Sequence, residues 1–193
     1  MTYEPQKRHR RSIRLKGYDY SQAGAYFVTI CTQNRACLFG EVVDGKMRLN
    51  EAGRMVLVEW NALSERFPVV ELDAFVVMPT HIHGIIVITN DIVGAGLVPA
   101  PERATTRVAP TIGDVVGAFK SRTTVLYAHG VKQFGWTPFL GRLWQRNYYE
   151  HIVRDQESLN RIRQYIRDNP ARWAMDRENP QAVHREPEDP WRS

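Results

Sequence analysis

Apolar residues along this chain fall in short β-branched runs and in helical spacings, and the two periods alternate, which predicts a mixed α and β domain. The run Ala25-Tyr26-Phe27-Val28-Thr29-Ile30-Cys31-Thr32 is rich in β-branched and aromatic residues and predicts a core strand. Cys37 to Val43 predicts a second strand. Asp44-Gly45 is a favoured tight-hairpin pair and turns the chain into a short third strand through Met47 and Leu49. A helix is expected next, with Asn50 as a candidate N-cap and Val56, Trp60, Leu63 and Phe67 at helical intervals as far as Pro68.

Phe75 to Met78 and His81 to Ile88 predict two strands joined by a tight turn at Pro79, which lacks the N–H that a sheet ladder needs. In the second of them His81, His83, Ile85 and Val87 share one face, while Ile82, Gly84, Ile86 and Ile88 share the other. Both faces look covered, as in a central strand. Residues 90–110 turn to Gly, Ala, Pro and Thr and predict a flexible loop. Thr111-Ile112-Gly113-Asp114 has the form of a capping box opening a helix that carries Val115, Val116, Phe119 and Leu126, with Lys120, Ser121 and Arg122 riding on it. Leu143 to Tyr149 predicts another extended segment, in which core packing and stacking on unpaired bases both stay open for the aromatic residues. The last helix starts at Asp155, buries Leu159, Ile162 and Ile166, and stops at Asn169, because a residue before proline is disfavoured in helical conformation.

Composition sets the scale. A chain of 193 residues with 43% apolar content can bury one core. The division expected is a basic arm at 1–20, a single domain at 21–175 and a loosely ordered tail at 176–193. The net charge of +5 and pI of about 9.4 favour a polyanionic partner. Lys7, Arg8, Arg10, Arg11, Arg14 and Lys16 crowd around His9, and two readings stay open for them: a solvated, disordered arm, or one that orders on phosphates. Cys31 and Cys37 lack CxxC spacing and companion cysteines, which argues against a disulfide framework or a zinc cluster. Without a spanning apolar stretch or the apolar core of a secretory signal, the expectation is a reduced, cytoplasmic, bacterial protein with no membrane partner.

Two segments carry candidate chemistry. His81 and His83, at i and i+2 on a strand, point two imidazoles the same way and can share one cation; alternatively one is packed and the other faces solvent. Tyr165 lies beside the apolar stripe of the last helix, where it is either a half-buried tyrosine or a nucleophile. Asn169, one turn on, is either an oxygen ligand to the same cation or a plain helix stop.

The motif Val77-Met78-Pro79-Thr80-His81-Ile82-His83-Gly84-Ile85-Ile86, taken with Tyr165-Ile166-Arg167-Asp168-Asn169-Pro170, resembles the single-tyrosine HUH transposases, and among them the REP-associated tyrosine transposases. The likeness runs from about Arg11 to Trp173 and includes Ile13 to Tyr20 and Gly113 to Ser121. It implies an α+β fold: a ferredoxin-like antiparallel sheet with the HxH pair on a central strand and helices mainly on one face. It also implies a divalent metal ion, Mg²⁺ or Mn²⁺, on His81, His83 and Asn169, and Tyr165 as the nucleophile in place of Tyr148 or Tyr149. Single-stranded or hairpin DNA would be cut through a 5′-phosphotyrosine link, by a monomer or a homodimer. Arg8, Arg10, Arg11, Arg14, Lys16, Lys120, Arg122 and Arg146 are the candidate DNA contacts. His151 and Glu150 are candidates for the base that takes the phenol's proton. Two rivals remain: a regulator that binds hairpins without cutting, and a hydrolase in which the histidines activate water and Tyr165 only packs.

Replacing Arg8, Arg10 and Arg11 together is expected to weaken DNA binding and flatten its salt dependence, as read from affinities at several salt concentrations. An unchanged slope would return the arm to the solvated reading.

Overall fold

The computed structural model describes residues 22–90, 110–185 and 187. The arm carrying Arg8, Arg10, Arg11, Arg14 and Lys16, and nearly all of the expected loop at 90–110, lie outside the described residues.

Six strands and four helices follow in order: β1 (Gly24–Cys31), β2 (Gly40–Val43), β3 (Lys46–Leu49), α1 (Glu51–Asn61), α2 (Leu63–Arg66), β4 (Val70–Val77), β5 (His81–Ile88), α3 (Ile112–Phe134), β6 (Tyr149–Val153) and α4 (Gln156–Asp168). The main sheet is antiparallel throughout, in the order β4-β5-β1-β6. Leaving aside the separate β2–β3 hairpin, this is the β-α-β-β-α-β order of a ferredoxin-like sheet. The apolar runs that predicted β1 and β5 therefore form its two central strands, paired with Cys31 opposite His81 and Thr29 opposite His83.

Local signals act where they were expected. Asp44 and Gly45 both have positive φ, 50° and 71°, and close the hairpin. The Asn50 side chain accepts from Gly53 N–H, and Thr111 with Asp114 forms the reciprocal capping box of α3. Two elements depart from the pattern. The expected helix from Asn50 to Pro68 divides at Ala62 into α1 and α2. The strand expected at Leu143 to Tyr149 starts only at Tyr149, with Trp144 held by an isolated bridge to Thr32. Polar Glu150 and His151 hide the apolar signature of β6, because an edge strand takes its place from pairing with β1 and not from its own propensity.

Both faces of the sheet are covered. On one, Val56, Trp60, Leu63 and Phe119 from α1, α2 and α3 pack against Tyr26, Val28, Ile30, Ile82 and Ile86. On the other lies α4, with Ile162 and Ile166 against Phe27 and Ile85. Beyond that half of the second face lie Thr29, Cys31, His81 and His83.

Gly84 lies between His83 and Ile85 in β5, and its absent side chain is needed on the α1 side. Trp60 stacks on Phe75 with ring centroids 4.3 Å apart, and a β-carbon at Gly84 would collide with the Trp60 indole. Gly84→Ala is expected to destabilise the fold by about 1–3 kcal/mol through overpacking, measured by urea unfolding.

Candidate active site

Strand pairing delivers the two imidazoles to one spot. His81 and His83 leave β5 on the α4 side, both buried, with their Nε2 atoms 3.0 Å apart. Behind them the Nδ1 atoms meet hydroxyls: Thr29 Oγ1 lies 2.8 Å from His83 and Thr80 Oγ1 lies 3.1 Å from His81. Burial lowers the pKa of His81, with Asp176, Glu178 and Asn169 pulling the other way. Burial lowers that of His83 much further, and its neighbour His81 adds to the effect. Two neutral imidazoles result, the form that ligates metals.

Helix α4 brings Tyr165 to the same place. Its apolar stripe docks on Phe27 and Ile85, and Arg163 clamps Asp73 through several bonds, the shortest 2.6 Å from Nη2 to Oδ2. That pairing holds the Asp73 carboxyl below the usual carboxylate range. Tyr165 consequently lies in the buried stripe rather than beside it, with its hydroxyl 3.4 Å from His83 Nε2. Its ring meets Phe27 edge-on and carries the Arg172 guanidinium 5.7 Å from its centroid.

Helix α4 ends at Asp168 with Asn169 as its C-cap, as expected, but Asn169 does not leave helical conformation. It keeps helical angles (φ −55°, ψ −42°) and opens a 3-10 helix, Asn169–Met175, in which Pro170 sits at the start. A proline there forfeits no hydrogen bond, so the disfavour against helix before proline is overcome. Asn169 is buried, close enough to His81 to favour its protonated form, yet neither amide atom has a hydrogen bond of good geometry.

Residues 176–179, which composition assigns to a loose tail, fold back onto the site. Asp176 and Asn179 are buried. Asp176 Oδ2 lies 3.6 Å from His81 Nε2 and makes no hydrogen bond. Its other oxygen accepts from Glu178 N–H at 2.6 Å. Trp173 lies against His81, and the Glu178 carboxylate accepts from Arg35 at 2.7 Å and from the Cys31 thiol at 3.4 Å. Burial, the largest single influence, opposes ionisation of Glu178, but the bond and charge of Arg35, the Cys31 bond and the charge of His81 together outweigh it and lower the carboxyl's pKa. Burial, reinforced by Glu178, pushes the Cys31 thiol up and keeps it protonated. Arg35 reaches Glu178 from a strained position, with φ at 53°.

Among the described residues, His81, His83 and Asp176 form a buried group whose ligand atoms all lie within 4.8 Å of one another. Neighbouring ligands each about 2.1 Å from an ion are roughly 3 Å apart, which matches the two imidazole nitrogens. The orphaned Asp176 Oδ2 and Asn169 Oδ1 are buried acceptors that a cation would satisfy. The donor set therefore fits a divalent ion and can hold one. Asp176 escaped the sequence reading because charge and proline mask packing in that stretch; the signal was Trp173, an apolar anchor three residues before it.

A cleft of about 220 Å³ opens beside this group, lined by Thr29, His83, Tyr148, Tyr149, Tyr165, Arg35 and Arg177 among others. The basic candidates on α3 are elsewhere. Lys120 Nζ donates to the carbonyls of Gln145 and Arg146 at 2.6 and 3.1 Å, and burial brings its pKa down to about 8. Arg122 pairs with buried Glu59 at 2.9 Å. Arg146 is exposed and lines a separate groove with Lys120 and Arg142. Glu150 pairs with Val28 and so leaves β6 on the face away from Tyr165, whereas His151 pairs with Phe27 and shares the tyrosine's face.

No protein-family model matches the chain. Over 172 residues it is 42% identical to an uncharacterized protein of Haemophilus influenzae (strain ATCC 51907 / DSM 11121 / KW20 / Rd), covering 87% of this chain and 92% of that one. The chain belongs to that protein's family. It also has the fold of a REP-associated tyrosine transposase solved bound to a REP hairpin, with a TM-score of 0.52 and 20% identity over 80% of this chain and 71% of that one. The α+β architecture is thus common to both, and in this chain its central strand β5 carries His81 and His83. No helix among the described residues is long and apolar enough to cross a membrane.

The lowered histidine pKa values have a consequence for acid stability. Above pH ~6.5 both folded and unfolded chains hold these histidines neutral; as pH falls, the unfolded chain takes up protons that the folded site refuses. Thermal unfolding is expected to shift downward progressively below about pH 6.5, and His83→Gln to flatten that dependence.

Proposed function

We propose that this protein is a metal-dependent tyrosine transposase that nicks and rejoins single-stranded or hairpin DNA. The observation that carries the reading is the Tyr165 hydroxyl 3.4 Å from the nitrogen of His83, one of a buried imidazole pair. Those groups are 82 positions apart in the chain. A fold shared with a tyrosine transposase bound to a REP hairpin supports it and suggests the kind of DNA involved.

His81, His83 and Asp176, with Asn169 beside them, would hold the divalent ion. When bound, such an ion supplies Lewis acidity toward a phosphate oxygen and stabilises charge that builds in the transition state. Tyr165 supplies the nucleophile: its oxygen forms a bond to phosphorus as the bond from phosphorus to the 3′-oxygen breaks. The products are a 5′-phosphotyrosine and a free 3′-hydroxyl, and attack by another 3′-hydroxyl reverses the step without external energy. A phenol with a pKa near 10 must lose its proton in that step. His151, on the same face of the sheet, is the better placed of the two candidate bases. The site's neutral imidazoles and its cleft, lined by Arg35 and Arg177, suit a bound phosphodiester.

Incubation of the protein with labelled hairpin DNA and Mn²⁺ or Mg²⁺, followed by a denaturing gel, tests the reading. A DNA-protein adduct is expected from the wild type and from Tyr149→Phe, and none from Tyr165→Phe, whose DNA affinity stays unchanged. An adduct formed by Tyr165→Phe would move the nucleophile to another tyrosine, and cleavage without any adduct would favour hydrolysis by water.

A further inference from the structure

Thr80 sits in the turn between β4 and β5, fully buried, with its hydroxyl in two hydrogen bonds. Oγ1 lies 3.0 Å from the Glu178 main-chain carbonyl and 3.1 Å from His81 Nδ1. A carbonyl only accepts and a hydroxyl has one proton, so that proton is committed to Glu178. The second bond then requires His81 to donate from Nδ1–H. A neutral imidazole carries one N–H, which leaves His81 Nε2 as a bare lone pair facing His83 and Asp176.

The rest of the cluster follows from that choice. Without an ion, His81 Nε2 accepts from His83 Nε2–H across 3.0 Å and the Thr29 hydroxyl donates to His83 Nδ1 across 2.8 Å; an ion on both Nε2 atoms requires the His83 proton to sit on Nδ1, facing Thr29 Oγ1. The opposite order would set the Thr80 oxygen and the Glu178 carbonyl against each other as two acceptors without a proton between them. The bare His81 nitrogen and the unbonded Asp176 oxygen are both acceptors, 3.6 Å apart, an arrangement that a cation relieves.

We infer that Thr80 is a positioning residue: by linking the Glu178 carbonyl to His81 Nδ1 it presents Nε2 unprotonated to the metal site, and so makes ion affinity depend on the folded-back segment 176–179. The inference rests on the metal-binding reading above. It goes further in naming a residue that touches neither the ion nor the DNA, and in giving the C-terminal segment two tasks. Asp176 provides a carboxylate at the site, while the Glu178 main chain fixes the tautomer of the histidine beside it. Outer partners that orient a ligating histidine change metal affinity by about 10- to 100-fold when removed.

The test uses the full chain and Mn²⁺ alone, with binding followed by calorimetry and by the electron paramagnetic resonance of free Mn²⁺. Thr80→Val is expected to weaken binding by about tenfold or more, and Thr80→Ser, which keeps the hydroxyl, to bind within a few-fold of wild type. Nitrogen-15 NMR of the metal-free wild type provides a readout independent of any variant's folding: His81 should show a protonated Nδ1 and a bare Nε2. Wild-type protein that takes up no Mn²⁺ overturns the metal reading and this inference with it. Wild-type binding together with an unimpaired Thr80→Val, a Thr80→Ser as weak as Thr80→Val, or a His81 proton on Nε2 overturns the inference alone.

Discussion

Two neutral imidazoles held in contact inside the protein are the constraint around which the rest of this structure is arranged. Nitrogens 3.0 Å apart in a buried setting cannot both be charged, and side chains this close hold one orientation only if both rings are pinned from behind. A central strand meets both demands. It fixes His81 and His83 at alternate positions, and its neighbour β1 supplies Thr29 directly opposite His83. An edge strand would provide one such neighbour at most and leave the other flank to water.

The opposite face of β5 is bound into the same arrangement. Gly84 leaves room for the Trp60 ring, so the sheet is gripped by α1 and α3 at the level where the histidines leave the other side. On the histidine side, α4 covers only part of the sheet. Its position is set by Ile162 and Ile166 in the small core and by the Arg163 clamp on Asp73 at the irregularity in β4. The tyrosine hydroxyl therefore arrives at His83 through packing chosen elsewhere on the helix. The chain then turns through a 3-10 helix and returns Asp176 and Glu178 to the imidazoles, which closes the group with a carboxylate.

Charge along the chain and charge on a binding surface are different quantities. Lys120 and Arg122 stand out in the sequence as cations on an exposed helix, but one is held by two main-chain carbonyls and the other by Glu59. Each partly serves the fold. Arg35 and Arg177, inconspicuous in the sequence, line the cleft beside Tyr165, where both lie against the Glu178 carboxylate. Whether a cation is free to meet phosphate depends on which carbonyl or carboxylate the fold brings within reach of it, and periodicity carries no trace of that.

Strand and helix order, the tight Asp44-Gly45 turn, the N-caps Asn50, Thr111 and Asp155 of the three long helices and the shared face of His81 and His83 follow from the sequence alone, because each depends on residues close together in the chain. The resemblance in the HxH and tyrosine segments pointed to the fold and named four residues, His81, His83, Tyr165 and Asn169, that tertiary structure brings together. The remainder lay beyond local reading. The edge strand β6 is defined by pairing, Asn169 stays helical because the chain beyond it packs, and Asp176, Thr80 and Glu178 join the site across separations of up to 98 positions. Their roles depend on which buried polar atoms end up facing one another, and only the folded chain decides that.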